Sequence, residues 1–530
     1  MSLQLRRTFL LPVCLSVLAA AGGCAGPQAT ARTIRVEVSA DGQTQTVEIA
    51  SGSTVQQALE QADVQLGEFD RVEPPTYTLL TDGAAVEVRR ITERFEVESV
   101  TLPFEHQTIR NEALAEGETR LLQPGQNGLQ EITYRIIDEG GVEVSRTAVQ
   151  SVVVQAPVAE ILMIGAQAAH AVVAIDGTLA YLSGGNAWIL RDSSANRRPI
   201  IVSGDLDGRV FRLSPDGQWL LFTRAAPDDS PSINSLWAVS TISQTPEPID
   251  LQAEDVVHFA DWAPDSPPLT VAYSTVEPSP AAPGWQANND LLLVTFSPGG
   301  RVTSHRTLIG PNAGGLYGWW GTSFAWATNT IMAYARADGV GLIDLADPDF
   351  VALVDVTPLD TFSDWAWVPP VAWGPDQHAL YLVDHGAPTG SESAGASQTF
   401  DLVVAPRDGG PTLTLASRAG MFASPATSPA VPLPGGEVSF QVAYLQALSP
   451  LQSAESSYQL VVMDRDGSNA TVLFPAAGEP GLEPQTVAWS PDASKIALEY
   501  RGDLWIVDAA TGLGQTLTGD GQVIAVQWRP

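Results

Sequence analysis

The stretch Val487-Ala488-Trp489-Ser490-Pro491-Asp492, followed by Ile496-Ala497-Leu498 and Asp503-Leu504-Trp505-Ile506-Val507, decides the fold. It reads as an apolar strand ending at a proline turn, then a second apolar strand, then a third. Phe211 to Phe222 with Leu236-Trp237-Ala238-Val239 repeats the phrase, and its anchor recurs at Pro215, Pro264, Ala327, Pro375, Pro425 to Pro429, Pro491 and Pro530. Spacings of roughly 40 to 65 residues match one four-stranded sheet with its loops, repeated radially, and so predict a β-propeller. Val523 to Arg529 opens a unit without completing it, and Asp176 to Leu190 is a unit without its opening strand. The two halves are expected to share one blade, which removes open sheet edges. The count is seven blades, with six as the alternative because the anchors around Ala327 and Pro425 are weakest.

These repeats resemble the TolB-like family, whose signature runs W-S-P-D-G, a short apolar strand, then L-W. Ser214-Pro215-Asp216-Gly217 and Trp489-Ser490-Pro491-Asp492 carry the likeness closely; Trp262-Ala263-Pro264-Asp265 and Trp373-Gly374-Pro375-Asp376 carry it in part. The resemblance covers about two thirds of the chain and implies a fold, not a function, since propellers host binding, scaffolding and catalysis alike.

At the other end, Arg6 and Arg7 precede an apolar run from Phe9 to Ala21 and then Ala21-Gly22-Gly23-Cys24. The run is short for a bilayer span and has the layout of a signal segment over residues 1–23. It resembles a bacterial lipoprotein signal, which implies acylation of Cys24, a membrane anchor and an extracytoplasmic location; ordinary secretory cleavage is the alternative. Cys14 lies within the segment removed, so no disulfide is expected. The formal charge of −33 repels nucleic acid and anionic head groups, and loss of Arg6 and Arg7 makes it two units more negative. Lys495 is the only lysine. That scarcity reads as compositional bias.

Beyond a linker at residues 24–32, residues 33–91 read as strand (Ile34 to Val38), turn (Asp41-Gly42), strand (Thr46 to Ile49) and a helix capped by Ser53 or Thr54 with Val55, Ala58, Leu59 and Ala62 on one face. Pro74-Pro75 forbids helix beyond it, and strands follow, ending at Val86-Glu87-Val88. The order resembles the small ubiquitin-like domain that precedes G-five domains, through Thr54-Val55-Gln56-Gln57-Ala58-Leu59, Asp70-Arg71-Val72-Glu73-Pro74 and Asp82-Gly83. Residues 92–167 resemble the G-five domain itself, on Phe95-Glu96-Val97, Phe104-Glu105-His106-Gln107-Thr108, Gln123-Pro124-Gly125-Gln126-Asn127-Gly128 and Glu131-Ile132-Thr133-Tyr134-Arg135. Its five glycines would be Gly117, Gly125, Gly128, Gly141 and Gly165. Glycines between alternating strands permit the positive φ of tight turns and bulges, and a long, thin, coreless ribbon is expected. The resemblance implies work near the cell wall, with N-acetylglucosamine or peptidoglycan as ligand; a plain spacer is the equal alternative.

Catalysis has no motif. His106, His170, His258, His305, His378 and His385 are scattered without a metal-binding spacing, so neither a metal nor another cofactor is expected. Gly321-Thr322-Ser323-Phe324-Ala325 lacks the final glycine of a nucleophile elbow. Asp205-Leu206-Asp207-Gly208 and Asp464-Arg465-Asp466-Gly467-Ser468-Asn469 alternate carboxylates as calcium loops do, but lack the distant glutamate. They are expected to be hairpin turns between the third and fourth strands of a blade.

All 14 tryptophans follow residue 187, and most are expected to pack between blades. Trp285, in a proline-rich loop, and Trp319-Trp320, after Gly314-Gly315, are the candidates for an aromatic binding platform. Insertions at Ala225 to Asn234, Thr275 to Asn288, Gly386 to Thr399 and Gln446 to Ser457 each separate the second and third strands of a blade, which places them on one face. Such a face usually binds, although drift in long loops costs little entropy. The expected protein is therefore mainly β: a ubiquitin-like α+β domain, a ribbon and a propeller at 168–530, lipid-anchored and binding a protein or glycan partner on the loop face. An enzyme acting on wall or surface polysaccharide would need two carboxylates about 5 to 9.5 Å apart across the central channel. A spacer or assembly subunit is the third reading.

Overall fold

A computed structural model describes residues 32–111, 114, 118–165, 172–265, 268–432 and 438–530. The signal segment 1–23, Cys24, Gly117 and His170 lie outside the described residues. Two compact units emerge: one holds residues up to Glu105 together with Gly125–Ala159, the other His106–Pro124 with Glu160–Pro530.

In the first unit, strands Thr33–Ala40 and Gln43–Ala50 form a hairpin, and Thr33–Ala40 pairs in parallel with Ala84–Arg89, which pairs with Arg71–Glu73. The helix Val55–Gln61 starts at Thr54, whose hydroxyl accepts from the Gln57 N–H while the Gln57 side chain accepts from the Thr54 N–H. Val55, Ala58, Leu59 and Ala62 all enter the core with Val36, Val38 and Val86. The same unit contains a three-stranded antiparallel ribbon, Ile91–Leu102, Gly128–Glu139 and Val142–Gln155. Val149, Val152, Val153 and Val154 are exposed along it, and Ile136 is its one fully buried apolar side chain. The five-glycine segment is thus divided, because its remaining strands, His106–Asn111, Thr119–Gln123 and Glu160–Gly165, form a separate sheet in the second unit.

The glycines need correction. A left-handed φ is required at Gly141 (+83°), in the turn between the last two ribbon strands, but not at Gly125, Gly128 or Gly165. Gly125 and Gly128 are glycine for lack of room: a Cβ would lie 2.2 Å from the Phe104 ring and 2.4 Å from the Gln155 carbonyl oxygen. Gly165 donates its N–H to the Glu118 carbonyl at 2.7 Å.

The second unit is dominated by seven radially arranged blades. Six are four-stranded antiparallel sheets spanning 206–254, 260–309, 323–355, 371–416, 426–474 and 488–516. The remaining blade, the first in chain order, is made by both ends: Val523–Arg529 pairs antiparallel with Ala174–Ser183, Thr178 facing Arg529 and Leu179 facing Trp528. This closing sheet has three strands rather than four. Its outer strand, Asn186–Ile201, outruns its pairing partner, and Arg198 donates to the Ser243 and Thr241 carbonyls of the next blade instead of pairing with a fourth strand. Both weak anchors lie in innermost strands, Ser323–Thr328 and Ala426–Thr427.

The recurring motif has two physical jobs. At the turn, the Ser214 hydroxyl donates to Asp216 at 2.6 Å and accepts from the Trp219 N–H; Ser490 donates to Asp492 at 2.6 Å and accepts from the Lys495 N–H. Between blades, the motif tryptophan clasps its neighbour. Trp262, Trp373 and Trp489 donate their indole N–H to the carbonyls of Arg212, Ala325 and Ala426 in the preceding innermost strand, at 3.0, 3.1 and 3.0 Å. A ring that fills the gap between sheets while satisfying a buried carbonyl explains why this position repeats. Trp326 occupies the same position, yet its indole nitrogen is buried without a partner.

Candidate functional site

In an antiparallel blade, the loop between strands two and three and the link from strand four to the next blade emerge on one face. The four expected insertions do lie between second and third strands, after Trp219–Ala225, Leu269–Tyr273, Ala379–His385 and Gln441–Ala447. In the third blade the insertion folds into its own hairpin, Val276–Pro278 with Trp285–Ala287. That hairpin lays the Trp285 ring on the His258 imidazole, 5.9 Å between centroids and 19° from parallel, with Trp320 edge-on at 6.5 Å. Gly321, at φ +98°, leaves room for this: a Cβ there would sit 2.8 Å from His258 Nε2.

Asn289 locks the adjoining 3-10 turn Gly318–Trp320. Its amide donates to the Gly318 carbonyl at 2.7 Å, and its oxygen accepts from the Thr322 hydroxyl at 2.9 Å. Trp285 and Trp320 are therefore brought together, whereas no ring contact among the described residues joins Trp319 to them. All three rings are half-buried rather than forming an open platform. The exposed apolar side chains of this face are others: Leu316 (76% exposed), Phe362 (90%), Trp365, Leu448 and Leu451. Phe362 and Trp365 lie in the link between the fourth and fifth blades, where no pattern in the sequence distinguishes them from core aromatics.

His258 was equally illegible. Both ring nitrogens are buried without a hydrogen-bond partner, and burial holds the imidazole down at about 4. His385, also buried, has Nδ1 2.7 Å from the Thr357 carbonyl and Nε2 2.9 Å from the Ser397 carbonyl, tying the same interblade link to the fifth-blade insertion. His106 lies in the three-stranded sheet beside the propeller, its Nδ1 2.8 Å from Glu160. Among the described residues no group of three or more His, Cys, Asp or Glu is arranged to hold a metal.

Asp464 to Ser468 is a turn between third and fourth strands, closed by the Asp464 N–H to the Ser468 carbonyl at 2.9 Å. Asp205 to Gly208 is not such a turn. It begins the innermost strand Leu206–Leu213, where Asp207 accepts from Asn234 at 2.8 Å and from the Thr223 hydroxyl, bracing the start of one strand against two others. Ser323 begins the innermost strand of the fourth blade. The axial channel enclosed by the innermost strands is a cavity of about 490 Å³ with one side-chain carboxylate in its described lining, Asp261. That lining does not supply the facing carboxylate pair of a glycoside hydrolase.

Residues 93–167 match the model of the G5 domain and residues 36–76 that of the G5-linked-Ubiquitin-like domain. The chain is 28% identical over 145 residues to resuscitation-promoting factor RpfB of Mycolicibacterium smegmatis, covering 27% of this chain and 39% of that protein. It is 27% identical over 106 residues to resuscitation-promoting factor Rpf2 of Corynebacterium glutamicum, covering 20% and 28%. The chain thus spans well under half the length of either curated relative. Among solved structures, an oligogalacturonate lyase in complex with manganese is 11% identical, covers 76% of this chain and 97% of its own, and superposes with a TM-score of 0.40. That likeness adds nothing to the propeller assignment, which rests on the sheets themselves. The chain joins segments matching the G5-linked ubiquitin-like and G5 domains to a seven-bladed β-propeller.

Proposed function

We propose that this is an extracytoplasmic, lipid-anchored scaffold whose G5 segment engages the cell wall, with N-acetylglucosamine-containing glycan as its ligand, and whose propeller takes a protein or glycan partner on its loop face. The observation that carries the reading is the concentration on one face of four insertions and the exposed side chains of Leu316, Phe362, Trp365, Leu448 and Leu451, in a chain whose charge is −33. Exposed apolar groups gathered on the face of a repeat fold that carries its insertions mark a binding surface. The Cys24 context supports the anchor, and the G5 and ubiquitin-like matches support the wall.

The test is a photo-crosslinking amino acid placed at Phe362 and, as control, at Ile242, which lies in a turn between third and fourth strands on the opposite face. In the host cell, the reading expects a discrete adduct from position 362 and none from 242. Equal labelling from both, or labelling from 242 alone, contradicts it. Replacement of Cys24 by serine should move the protein from the membrane fraction to the soluble fraction; retention would remove the lipid anchor from the reading.

A further inference from the structure

One turn on the loop face carries two costs that folding does not explain. Phe362 holds its backbone in the left-handed region, φ +53°, and leaves its ring 90% exposed. A bulky side chain rarely adopts that conformation, and a ring left in water gains nothing from burial. The turn is nevertheless fastened, the Thr361 hydroxyl donating to the Trp365 carbonyl at 2.6 Å. Strain of this kind persists only where the surrounding structure over-determines it, and it collects at functional sites.

The surroundings are a shelf of four loops, residues 356–370, 386–399, 417–425 and 446–457. The first meets the second where the Asp360 N–H donates to the Gly395 carbonyl at 2.7 Å, and the third where the Trp367 indole donates to the Met421 carbonyl at 3.0 Å. The third holds the fourth: the Met421 N–H donates to the Ser453 hydroxyl at 3.2 Å and the Gln446 amide to the Arg418 carbonyl at 2.7 Å. Leu359, Trp367, Phe400 and Met421 share one core beneath. Exposed Phe362, Trp365, Leu448 and Leu451 each lie two residues from one of these contacts, so they stand on one fastened surface.

Carboxylates border the same groups. Asp360, Asp364, Glu392 and Glu455 stand at, or within three residues of, those contacts, and Arg418 is the only base in the four loops. Among the described residues none of the four acids is held in an ion pair. On the opposite face of the same two blades, by contrast, Asp376 lies 3.6 Å from Arg465. An apolar surface rimmed by carboxylates without counter-charges is complementary to apolar groups flanked by cations. A second copy of this chain does not fit, since it carries −33 and a single lysine, and anionic head groups are repelled in the same way. A neutral glycan would leave the carboxylates unused.

We propose that this shelf docks a cationic amphipathic segment of a partner protein, its apolar side chains against Phe362, Trp365, Leu448 and Leu451 and its arginines or lysines against the bordering carboxylates. The inference rests on the loop-face reading and narrows it to one sector of the ring and one partner chemistry.

The test is fluorescence anisotropy of a labelled amphipathic peptide of arginine and leucine, titrated with the chain from residue 32 onward. Comparators are the peptide with glutamate for arginine, the peptide with serine for leucine, and glucosamine oligomers. Saturable binding of the first alone is expected, weakened about tenfold by the combined Asp360→Asn, Asp364→Asn, Glu392→Gln and Glu455→Gln. A charge-matched set in the exposed turns of the opposite face, Glu247→Gln, Asp347→Asn, Asp408→Asn and Asp466→Asn, should leave affinity unchanged. Phe362→Gly separates recognition from folding and keeps the test decisive if the fourfold variant misfolds. Glycine adopts φ +53° without strain, so the urea midpoint should not fall, while affinity drops about tenfold. No saturable binding, equal binding of any comparator, equal weakening by the opposite-face set, or unchanged affinity in Phe362→Gly overturns the proposal. The crosslinker at position 362 keeps the two readings apart. An adduct that survives the four neutralising substitutions leaves the loop-face reading standing and overturns this partner chemistry, whereas no adduct from 362 in either background overturns both.

Discussion

The propeller and the ribbon are both antiparallel sheet, but they are stabilised in different ways. Each blade buries both faces against its neighbours, and Trp262, Trp373 and Trp489 add a hydrogen bond across three of the gaps. The ribbon leaves most of both faces in water and relies on ladder hydrogen bonds, the buried Ile136, and exposed pairs such as Arg94 with Asp138 at 2.9 Å and Arg146 with Glu96 at 3.3 Å. Exposed pairs of this kind contribute little. Similar backbone geometry is thus held by buried interblade packing in one region and left largely exposed to solvent in the other.

Substitutions can break that contrast. The largest expected effect is in the propeller: Trp489→Ala removes a buried ring and its clasp, and should cost about 3–5 kcal/mol in chemical denaturation. Next is a pH effect tied to His258. Its folded pKa, about 4, lies below the unfolded value of about 6.5, so the unfolded chain binds the extra proton between them. Stability is then fully present above about pH 6.5 and falls as pH drops towards 4, by up to ~3 kcal/mol. His258→Phe should flatten that slope in urea midpoints taken across the window. An unchanged slope would remove His258 as its source.

Smaller effects sharpen the comparison. In the ribbon, Gly128→Ala forces a methyl group against the Gln155 carbonyl and should cost about 1–3 kcal/mol, seen as faster hydrogen exchange in Gly128–Glu139 and Val142–Gln155. Trp489→Phe should cost about 1–2 kcal/mol by orphaning the Ala426 carbonyl, while Trp326→Phe, which loses no hydrogen bond, should be nearly neutral or stabilising. The smallest is Val152→Ala, under about 0.5 kcal/mol, because that side chain is already in water.

Much of this was legible because repeats average out ambiguity. Seven weak copies of one phrase locate the innermost strands, and the two incomplete units at residues 176 and 523 announce the shared blade before any pairing is seen. The helix in the ubiquitin-like segment was equally plain, since Val55, Ala58, Leu59 and Ala62 alternate with polar residues at helical spacing. What resisted reading were features set by contacts distant in sequence. The hairpin within 275–288 that lays Trp285 on His258 depends on residues with no local periodicity. The division of the five-glycine segment between two units depends on how Ile109, Ile161 and Met163 pack with Leu179, Trp188 and Trp528.

The proposed division of labour between a wall-engaging ribbon and a partner-binding propeller face is most directly tested by co-sedimentation of the chain from residue 32 onward with purified peptidoglycan, beside a Phe362→Asp, Trp365→Ser variant. The chain should pellet, be released by soluble N-acetylglucosamine oligomers, and behave identically when the loop face is altered. A chain that stays in the supernatant, or whose pelleting depends on Phe362 and Trp365, would contradict it.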